Sequence, residues 1–143
     1  MAQTPFEHRL AMAQAGVAGL EGVTVSDCEA RREGPSWTVD TLRELAAASP
    51  EADGWWLVLG ADMAADFPTW RDPDGIRALA EPLVSVRSGG PTIPEGFDCT
   101  RLPGEPPEVS ATEIRARVAA GEPIEGLVPA GVAGYIAKHG LYR

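Results

Sequence analysis

The stretch from Pro107 to Gly121, P-E-V-S-A-T-E-I-R-A-R-V-A-A-G, sets Ser110, Thr112 and Arg115 at the start of a helical pattern. A helix start presents unbonded N–H groups and the positive end of the backbone dipole, so it attracts anions. Two hydroxyls beside it and a forked guanidinium suit phosphate oxygens. Part of the same pattern is ordinary helix grammar. Ser110 reads as N-cap, Glu113 as its capping-box partner, Val109 and Ile114 as a hydrophobic staple, and Gly121 as the stop. On this segment alone, a capped helix with a surface arginine is the plainer reading and a phosphate cradle the alternative.

Other residues with chemical reach lie where the pattern changes. Gly60-Ala61-Asp62 follows the apolar run W-W-L-V-L (55–59), and Arg87-Ser88-Gly89 follows L-V-S-V (83–86). Asp62 reads as a contact for a ribose hydroxyl or a metal, or as a simple N-cap of a helix over 63–67. Trp70 stands in the polar loop F-P-T-W-R-D-P-D, an odd place for a core tryptophan, whereas Trp55 and Trp56 read as core and sheet packing. Arg71 and Arg87 read equally as ligand contacts or as solvated charges. His8 reads as structural. Cys28 and Cys99 lie far apart without CxxC spacing and read as buried free thiols, so no protein metal site is expected.

The elements that must position these residues alternate. The pattern predicts helices over 5–18, 36–49, 63–67, 74–80, 111–120 and 130–139, the second capped by Ser36 or Thr38 with Asp40 in its first turn. Strands are predicted at 22–29, 55–59 and 83–86, with an edge strand near 97–101 inside a proline- and glycine-rich loop over 88–107. The run at 55–59 reads as a strand buried on both faces. Strands alternating with helices imply an α/β fold, a parallel sheet with helices on both faces, and such sheets bind ligands at their carboxyl ends. That rule selects Gly60, Asp62 and Arg87.

The 143 residues suffice for one domain with a real core. A net charge of −9 argues against a nucleic-acid surface, which needs a basic footprint. It does not argue against a small anion held by a few local cations. No apolar run approaches the roughly 20 residues of a membrane span, and the start M-A-Q-T-P-F-E lacks the basic and apolar regions of a signal peptide, which makes the cytoplasm the expected compartment.

Several segments together resemble a known family. F-E-H-R-L-A-M (6–12), S-W-T-V-D-T-L (36–42), L-G-A-D (59–62), F-P-T-W-R (67–71), V-S-A-T-E-I-R (109–115) and L-V-P-A-G-V-A-G-Y-I-A-K-H-G-L-Y (127–142) are similar, in order and spacing, to blocks of the bacterial nicotinate-mononucleotide adenylyltransferases. The resemblance implies a Rossmann-like nucleotidyltransferase over residues 1–143 that joins nicotinate mononucleotide to ATP with Mg²⁺, giving nicotinic acid adenine dinucleotide and pyrophosphate. It implies Ser110, Thr112, Arg115, Gly60 and Asp62 as the ATP side, with Arg115 catalytic. Trp37, Thr38 and Trp70 form the nicotinate side: the Trp70 ring stacks on the pyridine, and the helix start at Trp37 and Thr38 holds the carboxylate.

The resemblance has a gap. The family's G-G-x-F-D-P-x-H-x-G-H segment and its first strands have no counterpart here, so the chain corresponds to the C-terminal two-thirds of the family fold. Two expectations follow. The chain by itself transfers adenylyl groups weakly or not at all, and its unpaired sheet edge invites a second copy. The competing reading is a non-catalytic pyridine-nucleotide-binding or oligomerising module derived from the family. Whether the mononucleotide is the acid or the amide stays open.

Overall fold

A computed structural model describes residues 4–143; Met1 to Gln3, the first residues of the start read above, lie outside the described residues. The chain divides into two compact units, one of Arg32–Glu108 and one of Met1–Arg31 with Val109–Arg143.

The unit of Arg32–Glu108 is built on a parallel sheet. β1 (Trp56–Gly60) pairs with β2 (Glu81–Ser85), in a register running from Trp56↔Glu81 to Gly60↔Ser85. β2 pairs in turn with the short β3 (Thr100–Arg101), the expected edge strand, through Leu83↔Thr100 and Val84↔Arg101. The order is therefore β1-β2-β3, with β2 central. Three helices accompany it: α2 (Thr38–Ala48), α3 (Ala61–Asp66) and α4 (Pro73–Leu79). Val39 and Leu42 of α2, Ala64 of α3, Phe67 of the 3₁₀ turn that follows it and Ile76 of α4 close over Leu59 and Val84 of the sheet to form one core.

The strand at 55–59 is not buried on both faces. Leu59 is buried, but Trp56 is 54% exposed and Val58 59%. Pleating sends alternate side chains to opposite faces, and the helices of this core meet β1 on the Leu59 side only. β2 fits the expectation better because it has a neighbour on each edge: Pro82 and Val84 are buried and Leu83 is half-buried. Trp55 packs on the core as expected, while Trp56 is a surface residue.

α4 shows why a loop of this composition folds. Asp72, at φ 53° and ψ 60°, adopts the left-handed conformation that Asp tolerates better than most residues. Its carboxylate accepts the Gly75 N–H at 3.0 Å, and Pro73 opens the helix where its missing N–H costs nothing. Gly75 is required because a Cβ there would run into the Asp72 carboxylate.

The other unit is helical, with α1 (Phe6–Val17), α5 (Ala111–Ala120) and α6 (Ala130–His139). The last two match the sequence expectation residue for residue. Ile114, Ile124 and Ile136 are its buried centre, with Met12, Val118, Val132 and Tyr142 packed around them. Gly131 lets α6 approach α1, since a Cβ there would sit 3.1 Å from the Ala15 carbonyl oxygen. His8 engages the Tyr135 hydroxyl through Nδ1 at 3.0 Å, and Tyr135 stacks on His139 at 4.2 Å between ring centres. Both histidines are thus structural links between α1 and α6.

The predicted strand at 22–29 does not form; its last residues make a short 3₁₀ turn, Cys28–Arg31. A strand exists only where its backbone finds a ladder partner. Here local bonds are taken instead: the Cys28 N–H donates to the Ser26 hydroxyl at 3.2 Å, and the Ala30 N–H to the Asp27 carbonyl at 2.9 Å. Among the described residues no helix is long and apolar enough to cross a membrane.

Candidate active site

Two pockets and one helix start gather the residues singled out above. The first pocket, about 270 Å³, lies at the start of α2 and is lined by Ser36, Trp37, Thr38, Thr69, Trp70, Arg71 and Ile76. Thr38 is the first residue of α2, and Trp37 before it is in extended conformation and makes no side-chain capping bond. The Trp37 carbonyl accepts the N–H groups of Asp40 and Thr41 at 3.0 and 3.1 Å, which starts the helix.

Trp70 reaches this pocket because a 3₁₀ turn, Phe67–Thr69, ends on it; its N–H donates to the Phe67 carbonyl at 3.0 Å. Its ring lies 5.3 Å from that of the buried Phe67, tilted by 36°. Trp70 is thus both half-packed on the core and a wall of the pocket. Arg71 follows on the same wall, with its guanidinium carbon 5.5 Å from the centre of the Trp37 ring. Arg71, open in the sequence between ligand contact and solvated charge, thus lines the pocket beside Trp70.

The second pocket, about 290 Å³, opens at the carboxyl ends of β1 and β2, where Gly60, Asp62, Ser85 and Arg87 meet Pro91 and Pro106. The strand-end rule thus brings Asp62 and Arg87 to one cleft, and Arg87 belongs with the candidates. Asp62 is not the N-cap: α3 begins at Ala61, immediately after the extended Gly60, and Asp62 sits in its first turn. Ala61 is buried, which draws the helix start back to the strand end. The Asp62 carboxylate folds back over Gly60, so that a Cβ there would overlap its Oδ1. An exposed carboxylate accepts sugar hydroxyls; the guanidinium opposite suits a phosphate.

Ser110, Thr112 and Arg115 belong to the other unit, at the start of α5. Ser110 is the N-cap, and its hydroxyl oxygen accepts the Glu113 N–H at 3.1 Å. The reciprocal half of the capping box is absent, because Glu113 turns to Arg117 and accepts its Nε–H at 3.0 Å. Val109 and Ile114 pack in one cluster as the staple requires, and Gly121 ends the helix at φ 72°. Arg115 donates to the Thr112 hydroxyl at 3.3 Å. That contact holds the guanidinium beside the Thr112 hydroxyl in the first turns of α5, a pair of donors suited to an anion.

A larger cavity, about 820 Å³, lies instead at the amino ends of β1 and β2, among Asp53, Trp55, Trp56, Arg77, Glu81 and Asp98. Its cation is engaged: Arg77 donates to the Asp98 carbonyl at 2.9 Å and lies over the Phe67 and Phe97 rings. Parallel sheets bind at the opposite end, so size is a poor guide here. Cys28 is buried and Cys99 half-buried, both free.

Known proteins give the same picture. A family profile described as cytidylyltransferase-like matches residues 2–117. A probable nicotinate-nucleotide adenylyltransferase of Bordetella avium is 42% identical, covering 96% of this chain and 73% of that protein. One from Albidiferax ferrireducens is 43% identical, covering 98% of this chain and 74% of that protein. In fold, the chain is similar to the Plasmodium falciparum nicotinic acid mononucleotide adenylyltransferase complexed with NaAD. The TM-score is 0.72 at 20% identity, over 99% of this chain and 76% of that one. With a parallel sheet, a cleft at its strand ends and these relatives, the chain belongs to the nicotinate-nucleotide adenylyltransferases of the cytidylyltransferase-like family.

Proposed function

We propose that the chain works as one nucleotidyltransferase domain that transfers the adenylyl group of ATP to nicotinate mononucleotide. A phosphate oxygen of the mononucleotide forms a bond to the α-phosphorus of ATP. The bond from that phosphorus to the β-phosphate bridge breaks, and pyrophosphate leaves. The product is nicotinic acid adenine dinucleotide. Both reactants are anions, so the protein's task is positioning and charge stabilisation, with few groups doing covalent chemistry.

The observation that carries the reading is that Trp37, Thr38 and Trp70, brought together from two parts of the chain, line one pocket at the start of a helix. A flat pyridine ring fits against the Trp70 face, and its substituent meets the amides at Thr38. Gly60 and Asp62 serve the ATP ribose. Ser110, Thr112 and Arg115 hold phosphate oxygens, with Arg115 stabilising the charge that develops as pyrophosphate departs. Among the described residues no cluster of three or more His, Cys, Asp and Glu side chains forms a metal cage. Mg²⁺ carried in by ATP would need none, and Asp62, an exposed carboxylate at the strand-end cleft, would help to hold it. When bound, the ion neutralises phosphate charge.

The test is to incubate the chain with ATP, nicotinate mononucleotide and Mg²⁺ and to follow both products by mass spectrometry and pyrophosphate release. Slow formation of dinucleotide and pyrophosphate in equal amounts supports the reading. Failure of the chain to bind either substrate refutes it.

We propose further that a second copy covers the open edge of β1, where Trp56 and Val58 are exposed. Val58→Lys should then shift the protein toward monomer in sedimentation velocity, while an unchanged distribution would remove this interface.

A further inference from the structure

The pocket at the start of α2 is lined from two stretches of chain, residues 36–38 and 69–71, together with Ile76. The second stretch runs into a strained turn. Trp70 is extended, at φ −71° and ψ 163°, and two residues on Asp72 is left-handed, at φ 53° and ψ 60°. Among the described residues only Asp72 and Tyr142 take a positive φ without being glycine. Such a backbone is unfavourable for a residue with a Cβ and persists where its surroundings over-determine it. At Asp72 the carboxylate does so with both oxygens. Oδ1 accepts the Gly75 N–H at 3.0 Å, a bond local to the start of α4. Oδ2 accepts from the Arg43 guanidinium at 2.6 Å, and that bond reaches back to α2, the helix whose start forms the other part of the pocket. Asp40, also on α2, holds the other arm of the same guanidinium at 3.4 Å.

We infer that Arg43 is a positioning residue for the mononucleotide: through Asp72 it fixes the 69–71 stretch against the start of α2, and so sets the opening between Trp70 and Thr38 that receives the pyridine ring. This rests on the mononucleotide reading above. Arg43 lines neither the pocket of Trp70 nor the strand-end cleft, so it acts through Asp72 rather than on a ligand. The stretch is anchored at its amino side by the Trp70 contacts with Phe67, and the Arg43–Asp72 pair ties its carboxyl side to α2. The two side chains are 54% and 44% exposed, so the pair adds little to overall stability. Its effect falls on where the Trp70 platform stands, and a ring that stacks there depends on that placement.

The experiment compares the wild type with Arg43→Gln, Arg43→Lys, Asp72→Asn and the double variant of Arg43→Gln with Asp72→Asn. Asparagine keeps an oxygen for the Gly75 N–H and tolerates the left-handed backbone, so Asp72→Asn removes the charge that pairs with Arg43 and little else. Nicotinate mononucleotide and ATP are titrated separately by calorimetry. Arg43→Gln and Asp72→Asn should each weaken mononucleotide binding by roughly 2-fold to 5-fold, the range of an exposed ion pair, and leave ATP binding unchanged. The double variant should lose no more than either single, and Arg43→Lys should recover part of the loss. The positioning role is overturned, while the mononucleotide reading stands, by any of three results: Arg43→Gln binds the mononucleotide as the wild type does, weakens both ligands by one factor, or adds its full loss to that of Asp72→Asn. If the wild type binds no mononucleotide, that reading fails and this inference with it.

Discussion

Replacing Phe67 with alanine lowers the stability of the Arg32–Glu108 unit by about 3–5 kcal/mol, the range for removing a buried aromatic ring. Phe67 is 2% exposed and sits at the centre of the core formed by α2, α3, α4 and the sheet. Its ring meets Trp70 at 5.3 Å and Phe97 at 5.5 Å, the latter edge-on, and Arg77 lies over it at 5.1 Å. Truncation leaves a cavity and removes three ring contacts at once. It also unseats Trp70, whose half-buried face rests on Phe67, so mononucleotide binding should fall together with stability. Urea unfolding followed by tryptophan fluorescence measures the first effect, and titration well below the unfolding midpoint measures the second. A loss under about 1 kcal/mol would mean that the aromatic cluster does not organise this core.

Arg115→Ala should lower the affinity for ATP by roughly 10-fold to 100-fold, since a charge-assisted hydrogen bond is worth about 1.5–3 kcal/mol. Thr112→Val should cost less, roughly 3-fold to 10-fold, because it removes one neutral hydroxyl bond. The fold should survive both changes. The helix start is held by Ser110, whose hydroxyl takes the Glu113 N–H, and by Ile114 in the core, so neither Arg115 nor Thr112 is needed to begin α5. The contact between Arg115 and the Thr112 hydroxyl, at 3.3 Å, predicts coupling: the double variant should lose less than the sum of the singles. Calorimetry at two salt concentrations completes the measurement, because the Arg115 contribution should shrink with added salt. ATP affinity unchanged in Arg115→Ala would remove this helix start from the phosphate site.

Much of the fold was legible in the sequence because it rests on local rules. α5 and α6 begin and end where predicted, since caps and glycine stops act within a turn: Ser110 and Gly121 bound the first, Pro129 and Gly140 the second. β1 and β2 were legible as apolar runs between turn residues, and the strand-end rule pointed to Gly60, Asp62 and Arg87 before any geometry was known. The misread elements depended on something distant. V-T-V at 23–25 has strand composition, yet strand formation needs a neighbour, and Ser26 and Asp27 offered local bonds instead. Trp56 and Val58 looked like core, but whether an alternate residue is buried depends on what packs on that face.

The sequence by itself determined the family and the starts and stops of most helices, and it marked candidates for phosphate and pyridine, because each follows from short-range chemistry or from blocks held in order. Only the tertiary structure decided that Trp37, Thr38 and Trp70 share one pocket, that Arg71 lies on an indole in that pocket, and that Asp62 folds over Gly60 rather than capping α3. These are relations between residues far apart in the chain, or between a side chain and the packing around it. Such relations depend on which faces the core covers, and no local pattern encodes that.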